Sequence, residues 1–228
     1  MIENVLIDLD DTILDFQKSE RVALSQTLDQ LGLSPTDEIL DRYHVINREQ
    51  WELLERGEIT RAQVLERRFT LLFAEYQLNV PAKKAQALYE ELLGTMHFFV
   101  EGAWELLKTL SASYRLYLVT NGTSHIQRRR LQHAEILPFF TNVFISHEIG
   151  FNKPDPRYFE FCFSQIPDFK KETAVVIGDS LSSDIRGGNS VDVRTCWFNP
   201  THKKNNTNAV PDFEFDSLQV LPKLLESL

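Results

Sequence analysis

Five short apolar runs limit what this chain can fold into: Val5–Asp8, Leu116–Thr120, Val143–Ser146, Ala174–Gly178 and Arg194–Phe198. None alternates cleanly between apolar and polar residues, so each reads as a strand buried on both faces. Stretches of helical period separate them. In Gly102–Ala112, for example, Ala103, Leu106, Leu107 and Leu110 fall at i, i+3, i+4 and i+7, one helix face. Such strands alternating with helices imply a parallel sheet covered on both sides, with active sites at the carboxyl ends of its strands. The polar clusters of this chain lie there: Asp8–Thr12, Thr120–Gly122 and Gly178–Asp184.

Residues 17–98 break the alternation, with helical segments and no strand signal. Leu24, Leu28 and Leu31 share a face that ends at Gly32, a common residue just past a helix end. Ser34-Pro35 reads as the cap and first position of a second helix. Thr60 and Gln63 fit a capping box opening a third. Pro81 can start a fourth, with Ala85, Leu88, Leu92 and Met96 near one face. The expectation is an all-helical cap (17–98) inserted after the first strand and lying over the strand ends of a core domain (1–16 and 99–228). Thr201–Asn208 reads as a surface loop before a last helix carrying Leu218, Leu221 and Leu225.

With 228 residues and 43% hydrophobic content, the chain can bury one good-sized core, or a core plus a smaller attached domain. A net charge of −9 argues against a nucleic-acid-binding surface. The one basic run, Arg128-Arg129-Arg130 followed by His133, reads as a solvated helix face. Cys162 and Cys196 sit in apolar segments and read as small buried hydrophobes in a reducing compartment. No apolar run approaches the roughly 20 residues of a membrane span, so a cytoplasmic protein is expected. Its oligomeric state is left open.

Asp8-Leu9-Asp10-Asp11-Thr12 sets three carboxylates within four positions at a strand end. Like charges that close resist ionising together unless a cation compensates them, which suits metal binding with acid/base or nucleophilic chemistry. Phosphate-ester hydrolysis through a covalent intermediate needs a nucleophile, an acid/base, donors for the phosphoryl oxygens, and positive charge. Asp8, on fixed backbone, suits the nucleophile. Asp10 can protonate the leaving oxygen and then take a proton from water. Asp11 reads as a turn or capping residue. Thr120, Asn121 and Gly122 offer a hydroxyl and backbone N–H groups to a phosphoryl oxygen. Lys153, biased toward extended geometry by Pro154, can supply a fixed ammonium. Asp8, the carbonyl of Asp10, and Asp179 form an oxygen set suited to Mg²⁺. Asp184 either orients metal-bound water, pairs with Lys153, or caps the helix through Ile185–Asn189. No zinc-ligand spacing and no glycine-rich nucleotide loop is present.

In this order the four segments resemble the haloacid dehalogenase (HAD) superfamily of phosphohydrolases, whose motifs are D-x-D-x-T/V, a Thr or Ser, a Lys, and G-D-x-x-x-x-D. The resemblance implies an α/β, HAD-like doubly wound core with a C1-type helical cap. It implies Asp8 as nucleophile and Asp10 as acid/base, Thr120 and Lys153 on the phosphoryl group, and Mg²⁺ on Asp8, Asp10 and Asp179. The dehalogenase branch lacks the second aspartate, so Asp10 points to phosphate chemistry. Asp8–Phe16, Ile46-Asn47 with Trp51–Thr60, Val119–Gly122 and Thr195–Pro200 are similar to the house-cleaning pyrimidine 5′-nucleotidases. That implies a nucleoside monophosphate such as dUMP or dTMP as substrate.

Sugar-phosphate or phosphoglycolate phosphatases and phosphomutases share this core and are the alternatives. A catalytically silent module is disfavoured because Asp8, Asp10 and Lys153 are all present. A nucleotide cap should show the base an aromatic surface. Trp51, Phe69, Phe73 and Phe98 are its candidate sources, against their more common use as packing residues. Glu101, His147 and Val191 depart from the branch's usual pattern, none of them at the proposed chemistry.

Overall fold

The computed structural model describes residues 1–228. Its strands are β1 (Asn4–Ile7), β2 (Arg115–Thr120), β3 (Asn142–Ile145), β4 (Ala174–Gly178), β5 (Arg194–Phe198) and β6 (Phe213–Phe215). All pair in parallel, in the order β3-β2-β1-β4-β5-β6. Both faces of the inner strands are apolar because both are covered. Val5 and Ile7 join Leu116, Leu118, Val175 and Ile177 in one core cluster. Leu6, Tyr117, Val119 and Val176 face the other side, against Tyr158, Phe159 and Cys162. Full burial of each large aliphatic side chain here contributes about 1.5–3 kcal/mol.

Chain order reverses direction at β1 and β4, which pair with Asn4 opposite Ala174 and Ile7 opposite Ile177. Outside the carboxyl ends of two such strands lies the crevice where doubly wound sheets bind ligands. Asp8 and Asp179 are the residues that immediately follow them. Cys162 and Cys196 are free and buried on opposite faces of the sheet.

Four helices occupy the interval between β1 and the next core helix: α1 (Phe16–Gln30), α2 (Asp37–Glu55), α3 (Arg61–Glu75) and α4 (Ala82–Leu93). They bury a cluster of their own around Tyr43, Phe69, Phe73 and Tyr89. Helix α1 ends as its sequence reads, with Gly32 at φ 74°. The N–H of Leu33 returns to Leu28 O at 2.9 Å and that of Gly32 to Asp29 O at 3.0 Å, which satisfies two end carbonyls. The Thr60–Gln63 capping box is formed at the start of α3.

Two expectations about these helices need correction. Helix α2 starts at Asp37 and not at Pro35, because Thr36 Oγ1 accepts from Ile39 N at 3.3 Å while Asp37 and Glu38 occupy the first turn. The face read for α4 is met only in part: Ala85 is buried and Leu92 and, past the helix end, Met96 pack half-buried against the same cluster, but Tyr89 and Leu93 rather than Leu88 complete its buried side. The Tyr89 ring packs 5.6 Å from Tyr43 and 5.5 Å from Phe69, which turns that face inward.

The rest of the chain follows the βα alternation: α5 (Ala103–Ser111), α6 (Ser124–His133), α7 (Ser146–Ile149), α8 (Pro156–Ser164), α9 (Arg186–Ser190) and α10 (Leu221–Glu226). Strand β6, three residues on the sheet edge, is too short to read from the sequence. No helix is long and apolar enough to cross a membrane.

Candidate active site

Three strand ends and one loop converge on Lys153, whose side chain is almost wholly buried. Its ammonium donates to Asp8 Oδ1 and Asp184 Oδ1, each at 2.6 Å, and to the Val119 carbonyl at 3.0 Å. Burial works against this ammonium, but Asp184 and Asp8 outweigh it and hold its pKa above the ordinary lysine value. Asn121 clamps the Lys153 backbone from both sides, accepting from its N–H at 2.8 Å and donating to its carbonyl at 2.9 Å. The Asn121 side chain is thereby committed to holding the Lys153 loop against the end of β2. Thr120, the last residue of β2, is buried with its hydroxyl accepting from Gln127 Nε2 at 2.8 Å.

Asp184 is not a helix cap. Ser180 takes that place, its Oγ accepting from Ser183 N at 3.2 Å. Asp184 instead lies against the backbone of Gly178, where an added Cβ would fall 2.2 Å from Asp184 Oδ2. Glycine at 178 is therefore required by the close approach of a carboxylate. Asp11, at φ 58°, accepts from Phe16 N at 2.9 Å and Gln17 N at 3.2 Å, and so caps the start of α1 beside Asp15.

Asp8, Asp179 and Asp184 each offer a carboxylate oxygen within 4.8 Å of the others. Burial pushes the Asp8 carboxyl well above the usual range, with Lys153 opposing it. Burial raises Asp179 too, reinforced by the charges of Asp11 and Asp8. The Lys153 ammonium pairs with Asp8 and Asp184, and the Asp179 carboxylate makes no hydrogen bond or ion pair within the chain, its carbonyl alone accepting from Trp197 Nε1 at 2.9 Å. A hard divalent cation such as Mg²⁺ fits this short-handed oxygen set. The side chain of Asp10 stands apart from it, but the Asp10 carbonyl accepts no hydrogen bond within the chain and remains free to join.

What holds the Asp10 side chain was not legible in the sequence. Gln127 Nε2 donates to Asp10 Oδ2 at 2.7 Å, and Arg130 Nη1 pairs with Asp10 Oδ1. Arg130 is fully buried, which overturns its reading as part of a solvated face. It also donates to the Met96 carbonyl at 3.2 Å and stacks 5.6 Å over the Phe16 ring.

Two residues from the helical layer also reach the site unforeseen. Arg61, at the start of α3, donates to Asn121 O at 2.6 Å, Ser146 Oγ at 2.7 Å and Asn152 Oδ1 at 2.6 Å. Glu55, at the end of α2, accepts from Ser182 Oγ at 2.9 Å, and burial raises its carboxyl pKa to about 7. Of the four aromatic candidates, Phe69 and Phe73 belong to the helical core and Phe98 lies under the Lys18 ammonium. Trp51 lines a cavity of about 500 Å³ that also exposes Asp8, Asp10, Thr120, Lys153 and Asp179.

A sequence profile described as haloacid dehalogenase-like hydrolase matches residues 2–192. The chain is 38% identical over 221 residues to YfnB of Bacillus subtilis (strain 168), described as a HAD-hydrolase, covering 97% of this chain and 94% of YfnB. A crystal structure of YfnB bound to magnesium aligns with a TM-score of 0.93 at 36% identity, over 99% of both chains. The pyrimidine 5′-nucleotidase PynA of Streptococcus pneumoniae is 37% identical over 223 residues, covering 97% of this chain and 94% of PynA. The pyrimidine 5′-nucleotidase YjjG of Escherichia coli is 27% identical over 221 residues, covering 97% and 96%.

Proposed function

The chain belongs to the haloacid dehalogenase-like hydrolases, and we propose that it hydrolyses pyrimidine nucleoside 5′-monophosphates such as dUMP and dTMP through a phosphoaspartyl intermediate on Asp8. Residues 1–16 and 99–228 are the catalytic core and 17–98 the cap. The observation that carries the chemistry is the ammonium of Lys153 bridging Asp8 and Asp184, each at 2.6 Å, at the carboxyl ends of the strands. The pyrimidine assignment is supported by the two nucleotidase relatives, which cover almost the whole chain.

The phosphoryl oxygens meet Lys153, the Thr120 hydroxyl and the backbone N–H of Asn121. An Asp8 oxygen attacks phosphorus in line as the bond to the 5′-oxygen breaks. Asp10, held by Gln127 and Arg130, delivers its proton to that leaving oxygen, which releases the nucleoside. Asp10 then takes a proton from the water that attacks the phosphoaspartate, so that inorganic phosphate leaves and both aspartates return to their starting states. Asp8, Asp179 and the Asp10 carbonyl, with Asp184 beside them, would hold a Mg²⁺ ion, which would supply positive charge against the carboxylates and phosphate gathered there. With both cysteines free and a nucleotide substrate, the cytoplasm is the compartment this reading implies.

Inorganic phosphate release from dUMP, dTMP, UMP, AMP, phosphoglycolate and hexose phosphates, with Mg²⁺ and again with EDTA, tests the proposal. Release that favours the pyrimidine nucleotides and stops with EDTA is expected. Preference for phosphoglycolate or a hexose phosphate would discard the nucleotidase reading and keep the Asp8 chemistry.

A further inference from the structure

Within the cap, a set of buried polar side chains lines the catalytic cavity without serving the phosphate chemistry. Arg68 is 2% exposed and makes no ion pair. Its Nη1 donates to Asn47 Oδ1 at 3.1 Å, and its Nε and Nη2 donate to Gln86 Oε1 at 3.2 and 3.1 Å. Its guanidinium lies 4.8 Å from the Tyr89 ring and 5.8 Å from that of Phe69. A buried cation held only by amide oxygens and ring faces is costly unless charge nearby compensates it. That charge is Glu20, one residue removed: Asn47 Nδ2 donates to Glu20 Oε1 at 2.6 Å, and Glu20 Oε2 meets His44 Nδ1 at 2.6 Å.

Two consequences follow from this arrangement. Glu20 sets a carboxylate against the Arg68 charge, so the cluster gives a second anionic group of a ligand less advantage than a lone guanidinium would. Yet the guanidinium fork keeps N–H groups with no acceptor in the chain, and Arg68 and Asn47 both line the cavity that holds Asp8 and Lys153. A neutral acceptor such as a ring carbonyl suits those donors. Beside them, the Trp51 indole N–H donates to the same Asn47 Oδ1 at 3.1 Å, which fixes the plane of a half-buried ring lining the same cavity. Asn47 therefore sets a flat aromatic surface and an N–H donor for a ligand carbonyl in one register. Uracil, thymine and cytosine all carry a ring carbonyl beside the glycosidic nitrogen, and adenine carries none.

We propose that Asn47, Trp51 and Arg68 form the base subsite, with Trp51 against the ring and Arg68 donating to its carbonyl. This deepens the nucleotidase reading and rests on it.

The test compares kcat/KM for dUMP, dAMP and 2-deoxyribose 5-phosphate, with Mg²⁺, in the wild type, Arg68→Gln, Arg68→Lys and Trp51→Leu. The wild type should favour dUMP over both others. In Arg68→Gln the two ratios should collapse by about tenfold to a hundredfold, mostly through KM for dUMP. Arg68→Lys should fall between, since an ammonium keeps the charge and loses the fork. Trp51→Leu leaves the buried guanidinium in place and should lower the ratio of dUMP to 2-deoxyribose 5-phosphate, even if Arg68→Gln does not fold. Ratios that stay at wild-type values in the folded variants, whether or not overall activity drops, overturn the subsite while the nucleotidase reading stands. A wild type with no preference for dUMP over 2-deoxyribose 5-phosphate sinks both.

Discussion

The catalytic face of the core and the cap above it hold their polar side chains in different ways. In the core, Lys153 is gripped by Asp8 and Val119 at strand ends and by Asp184 in the helical turn that follows β4, and its backbone is clamped by Asn121. Each of those groups sits next to a strand whose position the sheet dictates. In the cap, Arg61, Glu55, Arg68 and Asn47 project from helices whose placement depends on a separate aromatic cluster. The lesson is one of division. The polar groups of the core face are tied to strand ends, which flanking apolar runs mark in the chain, whereas those of the helical layer are tied to helix packing, which leaves no such mark.

The largest expected effect tests the rigid side of this contrast. Lys153→Met should lower kcat for dUMP by roughly 10²–10³-fold. It should also lower stability by about 3–5 kcal/mol in a denaturant titration, because Asp8 and Asp184 are left buried without their counter-charge. A variant that keeps wild-type stability would show that the core face is not held together as described.

Arg130 joins the two regions, since it binds Asp10, the Met96 carbonyl and the Phe16 ring. In Arg130→Met, kcat/KM for dUMP should fall by about a hundredfold, the scale of a displaced general acid. p-Nitrophenyl phosphate, whose leaving group departs without a proton, should lose markedly less. Equal losses on the two esters would break the link between Arg130 and the acid step.

Arg61→Ala removes three hydrogen bonds from cap to core. KM for dUMP should rise by about tenfold, with kcat for p-nitrophenyl phosphate little changed. A fall in kcat on both substrates would instead place Arg61 in the rigid machinery.

The smallest effect concerns Glu55, whose carboxyl is raised from 4.5 to about 7 by burial. The folded state thus binds this proton more tightly than the unfolded chain. The stability it contributes is complete below about pH 4.5 and is lost as pH rises through about 7. Without Mg²⁺, Glu55→Gln should keep a Tm that the wild type loses between pH 5 and 8, a gap of roughly a few degrees. Parallel Tm profiles would mean that Glu55 is more solvated in solution than the α2 terminus places it.

The sequence carries this division too. Asp8 and Asp179 were legible because parallel strands bring their carboxyl ends together wherever loop lengths fall and each follows an unmistakable apolar run, whereas Lys153, in the loop after α7, was legible from Pro154 beside it. Helix ends with local hydrogen bonds, such as Gly32 and the Thr60–Gln63 box, were legible for a similar reason. Arg130 was not, because a buried arginine in a basic run has the same local pattern as a solvated one, and only the fold brings Asp10 beneath it. The same holds for Phe69 and Phe73, where helical spacing cannot say whether a ring faces a cavity or the Tyr43–Tyr89 cluster. Strand β6 failed on length alone.

The most direct test of the core's role is to trap the phosphoryl group. Asp10→Asn, supplied with Mg²⁺ and p-nitrophenyl phosphate, can still transfer phosphoryl to the nucleophile but hydrolyses the product slowly. After acid quench, peptide mass spectrometry should find the phosphoryl group on Asp8. Its appearance on any other residue, or phosphate release near the wild-type rate from Asp8→Asn, would contradict the placement of the chemistry at the end of β1.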